Sequence, residues 1–362
     1  MLKANLLIIS LTAPPEICGV SDYAFESARA LLDQYDSITI GVDRFPGKIT
    51  ATDQRISVLH WKEALKTKEP TIAIINYTPR GYQKYALPLG LMNSLTSFKK
   101  SNSGNKLFIL FHETWDGGTG LKIHHLIMDK FAMYISKKLA LLSDGVATIT
   151  DEQKSKVIAL TGFSKVSTLT VGANIFPSDP LAGLTSIRDP GVWVIFGLPH
   201  TRLWTLEANL VLIKKLIQEG MLKTIRSIGP SDHSPVALEE KQYAANHFGE
   251  NILVQLGSIA PGEVTKELLT AYGAFVGQTA DSLRKSGSFA AIAAHATPVV
   301  CNAPNSLVTP PGLGFFNGAE LASNPALFEL EKTDRSTKLH RWYWETRSWK
   351  AIASDLNHWI NK

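Results

Sequence analysis

Short apolar runs alternate with helix-patterned segments along this chain, and the alternation stops and restarts once. The first series is NLLIISL, SITIGV, TIAIINY, KLFILFH, GVATIT and VSTLTV. A stretch rich in Gly, Pro, Ser and Asp, GANIFPSDPLAGLTSIRDPG, interrupts it. VWVIFG, TIRSIG, ILVQLG, GAFVGQ and TPVVCN follow. Apolar runs this short, bounded by turn residues, fit strands buried on both faces of a parallel sheet. Intervening segments such as SDYAFESARALLDQY and HHLIMDKFAMYISKKLALL repeat apolar residues at three and four, so they read as helices. Ser21 or Asp22 is the expected N-cap of the first. The rhythm predicts an α/β chain of two doubly wound parallel-sheet domains, 1–178 and 190–345, with a linker near 176–190. In the closing segment RSWKAIASDLNHWINK, Trp349, Ile352, Leu356 and Ile360 share one helical face.

Composition narrows the function. At 362 residues, 44% hydrophobic and 19% charged, the chain is globular and long enough for two cores. A net charge of +5 suits an anionic ligand or anionic lipid, and a solvated surface explains it equally well. Cys18 and Cys301 are too few for a disulfide framework and have no metal-ligand spacing, which favours a reducing, cytoplasmic setting. No apolar run approaches the ~20 residues that cross a bilayer, so membrane association, if any, is expected to be peripheral on the inner face. The opening MLKANLLIISL reads as a first strand rather than a signal peptide, because its apolar run is short and Asn5 directly precedes it. Basic residues are not interleaved with aromatics, and a nucleic-acid partner is not expected.

Four second-half strands end in Gly or a Gly-containing turn (IFG, SIG, QLG, FVG), at the strand ends where ligands of open parallel sheets sit. In RKSGSFAAIAAHATPVV a strand and loop lead into a helix whose start falls near Ser286 to Ser288. Its free N–H groups, with Lys285 and Arg284 beside them, would bind an anion. The plainer alternative is that Ser288 caps the helix and the two basic residues are solvated. Ala290, Ala291, Ala293 and Ala294 would let the helix lie close to the sheet. IFGLPHTRLW sets Arg202 five residues after Gly197, within reach of a phosphate or else exposed on a loop. PPEICGVSDYAF brings Gly19 to the start of a helix but lacks G-x-G-x-x-G, which weighs against NAD. LFHETWDGG ends a strand with His112 and Glu113, a pair able to position a hydroxyl or share a proton, although a lone histidine is as often structural. The phosphate-loop, nucleophile-elbow, H-E-x-x-H and D-x-D motifs are absent.

Taken in order, PPEICGVSDYAFESARAL, INYTPRGY, LFHETW, VGANI, IFGLPHTRLW, KSGSFAAIAAHATPVV and SWKAIASDL resemble the family 4 retaining glycosyltransferases of GT-B fold, over nearly the whole chain. The resemblance implies two Rossmann-like domains facing a cleft, with a C-terminal helix at 346–362 crossing back onto the first. It implies transfer of a sugar from a nucleoside diphosphate to an acceptor hydroxyl, with retention and without a metal. By family frequency the donor is UDP-glucose and the setting polysaccharide or glycoconjugate synthesis, on a glycan or lipid-linked acceptor. Carried over by position, Gly19 and Val20 would lie by the donor phosphates, and His112, with Glu113, at the donor sugar. Arg202 and Lys285 would hold the diphosphate beside Gly197 and Arg284. Ser286, Gly287 and Ser288 would offer it N–H groups, and backbone near Leu256 and Gly257 would meet the base. Many members carry two glutamates, the second on the ribose, where this chain has Leu283 and Ala291; a subset carries a Lys-Ser-Gly-Ser or Thr turn instead. Two other readings share the architecture: a sugar-nucleotide epimerase using Glu113 and Asp116 as acid and base, and a non-catalytic sugar-nucleotide-binding protein.

Overall fold

A computed structural model describes residues 5–45, 53–115, 123–230, 234–278, 280–301 and 314–362. The chain forms two compact units, Met1–Thr170 with Trp349–Lys362, and Val171–Ser348. Among the described residues no helix is long and apolar enough to cross a membrane.

The first unit is built on strands β1 (Asn5–Ser10), β2 (Ser37–Val42), β3 (Ile56–His60), β4 (Thr71–Tyr77), β5 (Lys106–Phe111), β6 (Gly145–Thr148) and β7 (Ser167–Thr168). Their order is β3-β2-β1-β4-β5-β6-β7, and all pairs are parallel. The apolar runs read from the sequence are its buried centre. Leu7, Ile9, Leu107, Ile109 and Phe111 join one core with Leu91, Leu95, Ile135 and Leu139 from the helices Leu89–Ser101 and Ile123–Leu142. On β5 the intervening Phe108 meets Trp359 edge-on at 5.1 Å, as the two-residue period of a strand requires. The helix Trp349–Ile360 buries Trp349, Ile352, Leu356 and Ile360 within this unit, with Trp349 against Tyr23 at 5.5 Å.

The second unit carries β8 (Asp189–Phe196), β9 (Thr224–Ile228), β10 (Leu253–Gly257), β11 (Ala271–Val276), β12 (Val299–Cys301) and β13 (Phe316–Asn317), in the order β10-β9-β8-β11-β12-β13, again all parallel. Trp193, Ile195 and Phe275 face the helices Pro199–Ala208 and Leu210–Gln218. Val194, Ala274 and Val276 face the helix Gly287–Ala294, whose four alanines are all buried.

Three expectations are corrected. The segment expected as a linker is packed into the second unit, which already begins at Val171. Arg188 fastens it, donating to the carbonyls of Leu268 (2.8 Å), Gly183 (2.8 Å), His295 (2.9 Å) and Ala296 (2.9 Å). Burial pushes its guanidinium down to about 10. The first helix spans Gly19–Leu31 with Cys18 at its N-cap and no side-chain cap. Ser21 is buried inside that helix instead, its hydroxyl accepting from Thr12 N and bonded to Ser10 Oγ, both at 3.1 Å. Two edge strands, β3 and β13, are additional. Their patterns are half-exposed or only two residues long, so neither forms a continuous apolar run.

Candidate functional site

Ligands of open parallel sheets bind beyond the carboxyl ends of the strands where the strand order reverses. In the second unit the reversal lies between β8 and β11. The glycine-ended strands of the sequence are β10, β9, β8 and β11, which are neighbours in this sheet. Gly197 N donates to Ile228 O at 3.1 Å and Gly229 N to Gly257 O at 3.0 Å, joining three of these ends. At Gly229, φ is +130°, and a Cβ would lie 2.1 Å from Gly197 O, so only glycine fits. Gly257 has φ +71° with open space around it. The row presents backbone, not side chains, to whatever binds.

Across the reversal, β11 runs through Gly277 and Gln278 into the turn before the helix Gly287–Ala294. Ser286 is the cap: its Oγ accepts from Phe289 N at 3.1 Å, so the cap lies two residues before Ser288. The Gln278 amide bonds the same hydroxyl at 3.1 Å. The N–H groups of Gly287 and Ser288 have no partner among the described residues. Ser288 Oγ lies 3.5 Å from where a Cβ on Gly197 would be, so the helix start and the end of β8 are side by side. Gly172 O and Asn174 Oδ1 approach the same spot at 3.8 and 3.9 Å from a Cβ on Gly287. Lys285 is exposed and has no ion-pair partner among the described residues. Arg284 is half-buried, and its carbonyl accepts from Arg347 Nη1 at 2.7 Å. Arg347 also reaches Val171 O at 3.4 Å, tying the basic turn to the segment over the helix.

Arg202 occupies a different place from the one read for it. Its side chain is fully buried, with Nη2 2.9 Å and Nε 3.1 Å from the Glu240 carboxylate. Nη1 donates to Gly197 O at 2.7 Å and Pro230 O at 3.1 Å. Glu240 also accepts from Ser227 Oγ and from Gln255 Nε2. The guanidinium therefore lies under the glycine row and holds the turns after β8 and β9, rather than standing free for a phosphate. Leu256 is partly buried against the core of the second unit and lines a groove with Arg188, Asp189 and Arg226, while the backbone at Gly257 lies at the row. The positions matching the family glutamates, Leu283 and Ala291, are both buried in the core.

In the first unit the reversal lies between β1 and β4. Gly19 is exposed at the first turn of its helix, with open space where a Cβ would stand, whereas Val20 packs on the core. His112, just past β5, is buried. Its Nε2 is 2.8 Å from Asn76 Oδ1, and Asn76 Nδ2 donates to Ile9 O at 3.3 Å. With the amide so oriented, His112 donates from Nε2 and keeps its lone pair on Nδ1. Tyr23 meets the ring edge-on at 4.9 Å, and Gln153 donates to His112 O at 2.9 Å. Burial pushes the imidazole down to about 3, so it is neutral at physiological pH. Glu113 is exposed and lines a small pocket with Arg80, Thr114, Trp115 and Asp129. Asp116 lies outside the described residues.

The sequence reading missed Asn76, Gln278, Glu240 and Arg347. Only Asn76 left a signal, as a polar residue near the end of the otherwise apolar TIAIINY. The other three act on partners 8 to 63 residues away.

No protein-family model and no curated protein sequence matches the chain. Solved structures do. Anabaena HepE, in complex with UDP and glucose, is similar at a TM-score of 0.64 and 12% identity, with 99% of each chain covered. A glycosyltransferase from Rickettsia africae gives 0.63 and 12%, also with 99% of each chain covered. WaaG, a glycosyltransferase involved in lipopolysaccharide biosynthesis, gives 0.60 and 9%, covering 98% of this chain and 99% of its own. At such identities the likeness is one of fold. With two all-parallel α/β units, the fold is GT-B.

Proposed function

We propose that the protein is a glycosyltransferase that uses a UDP-sugar donor, bound through its diphosphate at the β8/β11 reversal. The observation that carries this reading is the Ser286-capped helix start, with Lys285 exposed beside it, set against the glycine row at Gly197. A helix N-terminus carries about half a positive charge, and unpaired N–H groups there bind an anion directly. Loss of a nucleoside diphosphate from a sugar builds negative charge on the β-phosphate. Fixed N–H groups at Gly287 and Ser288 and the Lys285 ammonium would stabilise it without reorganising. Arg202 serves by positioning Gly197 and Gly229. His112, neutral, offers Nδ1 as an acceptor toward a sugar hydroxyl and is unsuited to act as a general acid. HepE, described with UDP and glucose, makes UDP-glucose the first donor to test. Retention, independence of metal and a role in polysaccharide or glycoconjugate synthesis complete the proposal.

The test is a thermal-shift panel of nucleoside diphosphates and their sugars, followed by an assay of UDP release. A ligand held only by the folded state raises the melting temperature with occupancy. UDP and one UDP-sugar are expected to stabilise the protein, and turnover is expected to persist in EDTA with the anomeric configuration kept, as read by NMR of the product. If no nucleoside diphosphate shifts the melt and no UDP is released, the reading is wrong. Epimerised sugar formed from the nucleotide-sugar without an acceptor would assign the epimerase instead.

A further inference from the structure

Among the described residues the two sheets end in the edge strands β3, β7, β10 and β13. Three of these edges are guarded. β7 and β13 are two residues long, too short to hold a neighbour. β3 is bracketed by Arg55, paired with Asp53 and Asp33 at 3.2 Å each, and by His60 and Lys62, and charge at an edge opposes pairing. β10 has neither protection. It runs Leu253–Gly257, LVQLG, none of it buried, and its nearest charged residues in sequence are Glu250 and Glu263.

The ladder defines the free side of this strand. β10 pairs with β9, and Ile225 N donates to Ile252 O at 2.6 Å. Backbone groups alternate in direction along a strand, so Ile252 and Val254 turn theirs toward β9, and Leu253 and Gln255 turn theirs outward. Those outward groups have no partner among the described residues. Apolar side chains flank the edge on both faces. On one face Val254 is 45% exposed, and Leu256 lines a groove with Pro190 and the 90% exposed Ile187. On the other, Gln255 donates to Ala237 O and to the Glu240 carboxylate, both at 2.9 Å, and Leu238 stands exposed next to Ala237. Each flank carries exposed charges of both signs, Asp189 and Lys266 along the groove and Glu239 and Lys241 on the helix Pro235–Phe248.

We propose that β10 is a contact between two copies of this chain, paired antiparallel about a two-fold axis beside Gln255. There the two Gln255 residues exchange both backbone bonds, and Val254 of each copy stands against the partner's Leu256. The strand is its own complement: apolar meets apolar across the axis, and the strand brings no charge to meet its like. On the flanks, acid and base of one copy have base and acid of the other to answer them. The inference stands on the second unit alone and survives if the donor assignment fails.

The test is sedimentation equilibrium of the full chain from about 1 to 300 μM, because a contact of one strand and its flanks is smaller than an obligate interface and forms with concentration. A monomer–dimer equilibrium is expected. Val254→Lys sets an ammonium against the apolar partner face once per copy, and should weaken association roughly tenfold or more. Val254 is exposed, so melting temperature and circular dichroism at the lowest concentration should stay unchanged and separate association from folding. Leu59→Lys, the same change on the edge β3, should leave association as in the parent. Hydrogen exchange of the peptide carrying Leu253 and Gln255 should slow with concentration in the parent and not in Val254→Lys. The proposal is overturned if Leu59→Lys rather than Val254→Lys disperses the dimer, or if a dimer forms with these amides unprotected. A chain monomeric at every concentration also overturns it, and leaves the edge to a strand of another protein.

Discussion

At the reversal of the second sheet the chain is stripped to backbone: Gly197, Gly229 and Gly257 lie in a row, and beside Gly197 stands a helix start whose first N–H groups have no partner among the described residues. At the reversal of the first sheet the same topological point is filled with buried polar side chains, His112 on Asn76 and Ser21 on Ser10 and Thr12. Backbone and glycine suit a ligand that is all phosphate oxygens, for which N–H groups are the complement. Buried side-chain networks suit recognition by shape and direction, because each partner fixes the next. One fold thus meets its two strand reversals with different chemistry.

The largest expected effect tests whether Arg202 and Lys285 differ as their surroundings say. Arg202→Leu leaves the Glu240 carboxylate buried and uncompensated, which should cost about 3–5 kcal/mol of stability. Chemical denaturation would show it as a lowered midpoint with the first unit's transition unchanged. Lys285→Ala should leave stability within about 0.5 kcal/mol. It should instead lower turnover of the UDP-sugar roughly 10²- to 10³-fold, about 2.7–4 kcal/mol of barrier. If Lys285→Ala unfolds the protein or Arg202→Leu spares it, the division between support and ligand contact is wrong.

A second effect, of intermediate size, draws on one histidine from each unit. Burial pushes His112 down to about 3 and His295 down to about 4, in the latter aided by Arg188 and His340 nearby. Both fold neutral and unfold with an ordinary value near 6.5, so the unfolded chain binds more protons between those limits. Their contribution is complete above pH 6.5 and is lost as pH falls toward 4 and then 3, by about 2 kcal/mol each at pH 5. Denaturation midpoints measured from pH 7.5 to 4.5 should fall with acid, less steeply in His112→Gln and in His295→Gln. A pH-independent parent would remove the argument.

The smallest effect separates the cap from the ligand site. Ser286→Ala removes the hydroxyl that accepts from Phe289 N and should cost about 1 kcal/mol of stability. Ser288→Ala, which removes no cap, should cost less, and equal losses would return the cap to Ser288.

Much of the fold was legible because strands buried on both faces must be apolar along their centres, and β1, β4, β5 and β8 are. The edge strands β3 and β13 were not, since β3 alternates buried and exposed residues and β13 is only two residues long. The glycine row was visible as four strand-end glycines, because a backbone conformation closed to side chains writes itself into residue type. Arg202 was visible as a cation near a strand end and misplaced, because its partner Glu240 lies 38 residues on, in another helix. A charge read without its partner cannot be told from a free one.

By itself the sequence determined the two runs of strands, the glycines at their ends, the alanines that seat a helix and the turn Lys285 to Ser288. These are local matters, set by side-chain period and by which residues a backbone conformation admits. Tertiary structure alone decided that Arg202 supports the glycine row from below and that Asn76 fixes the tautomer of His112. Each of these depends on which distant residue arrives at hydrogen-bond or packing distance, and that is settled only when the sheet order brings the strand ends together.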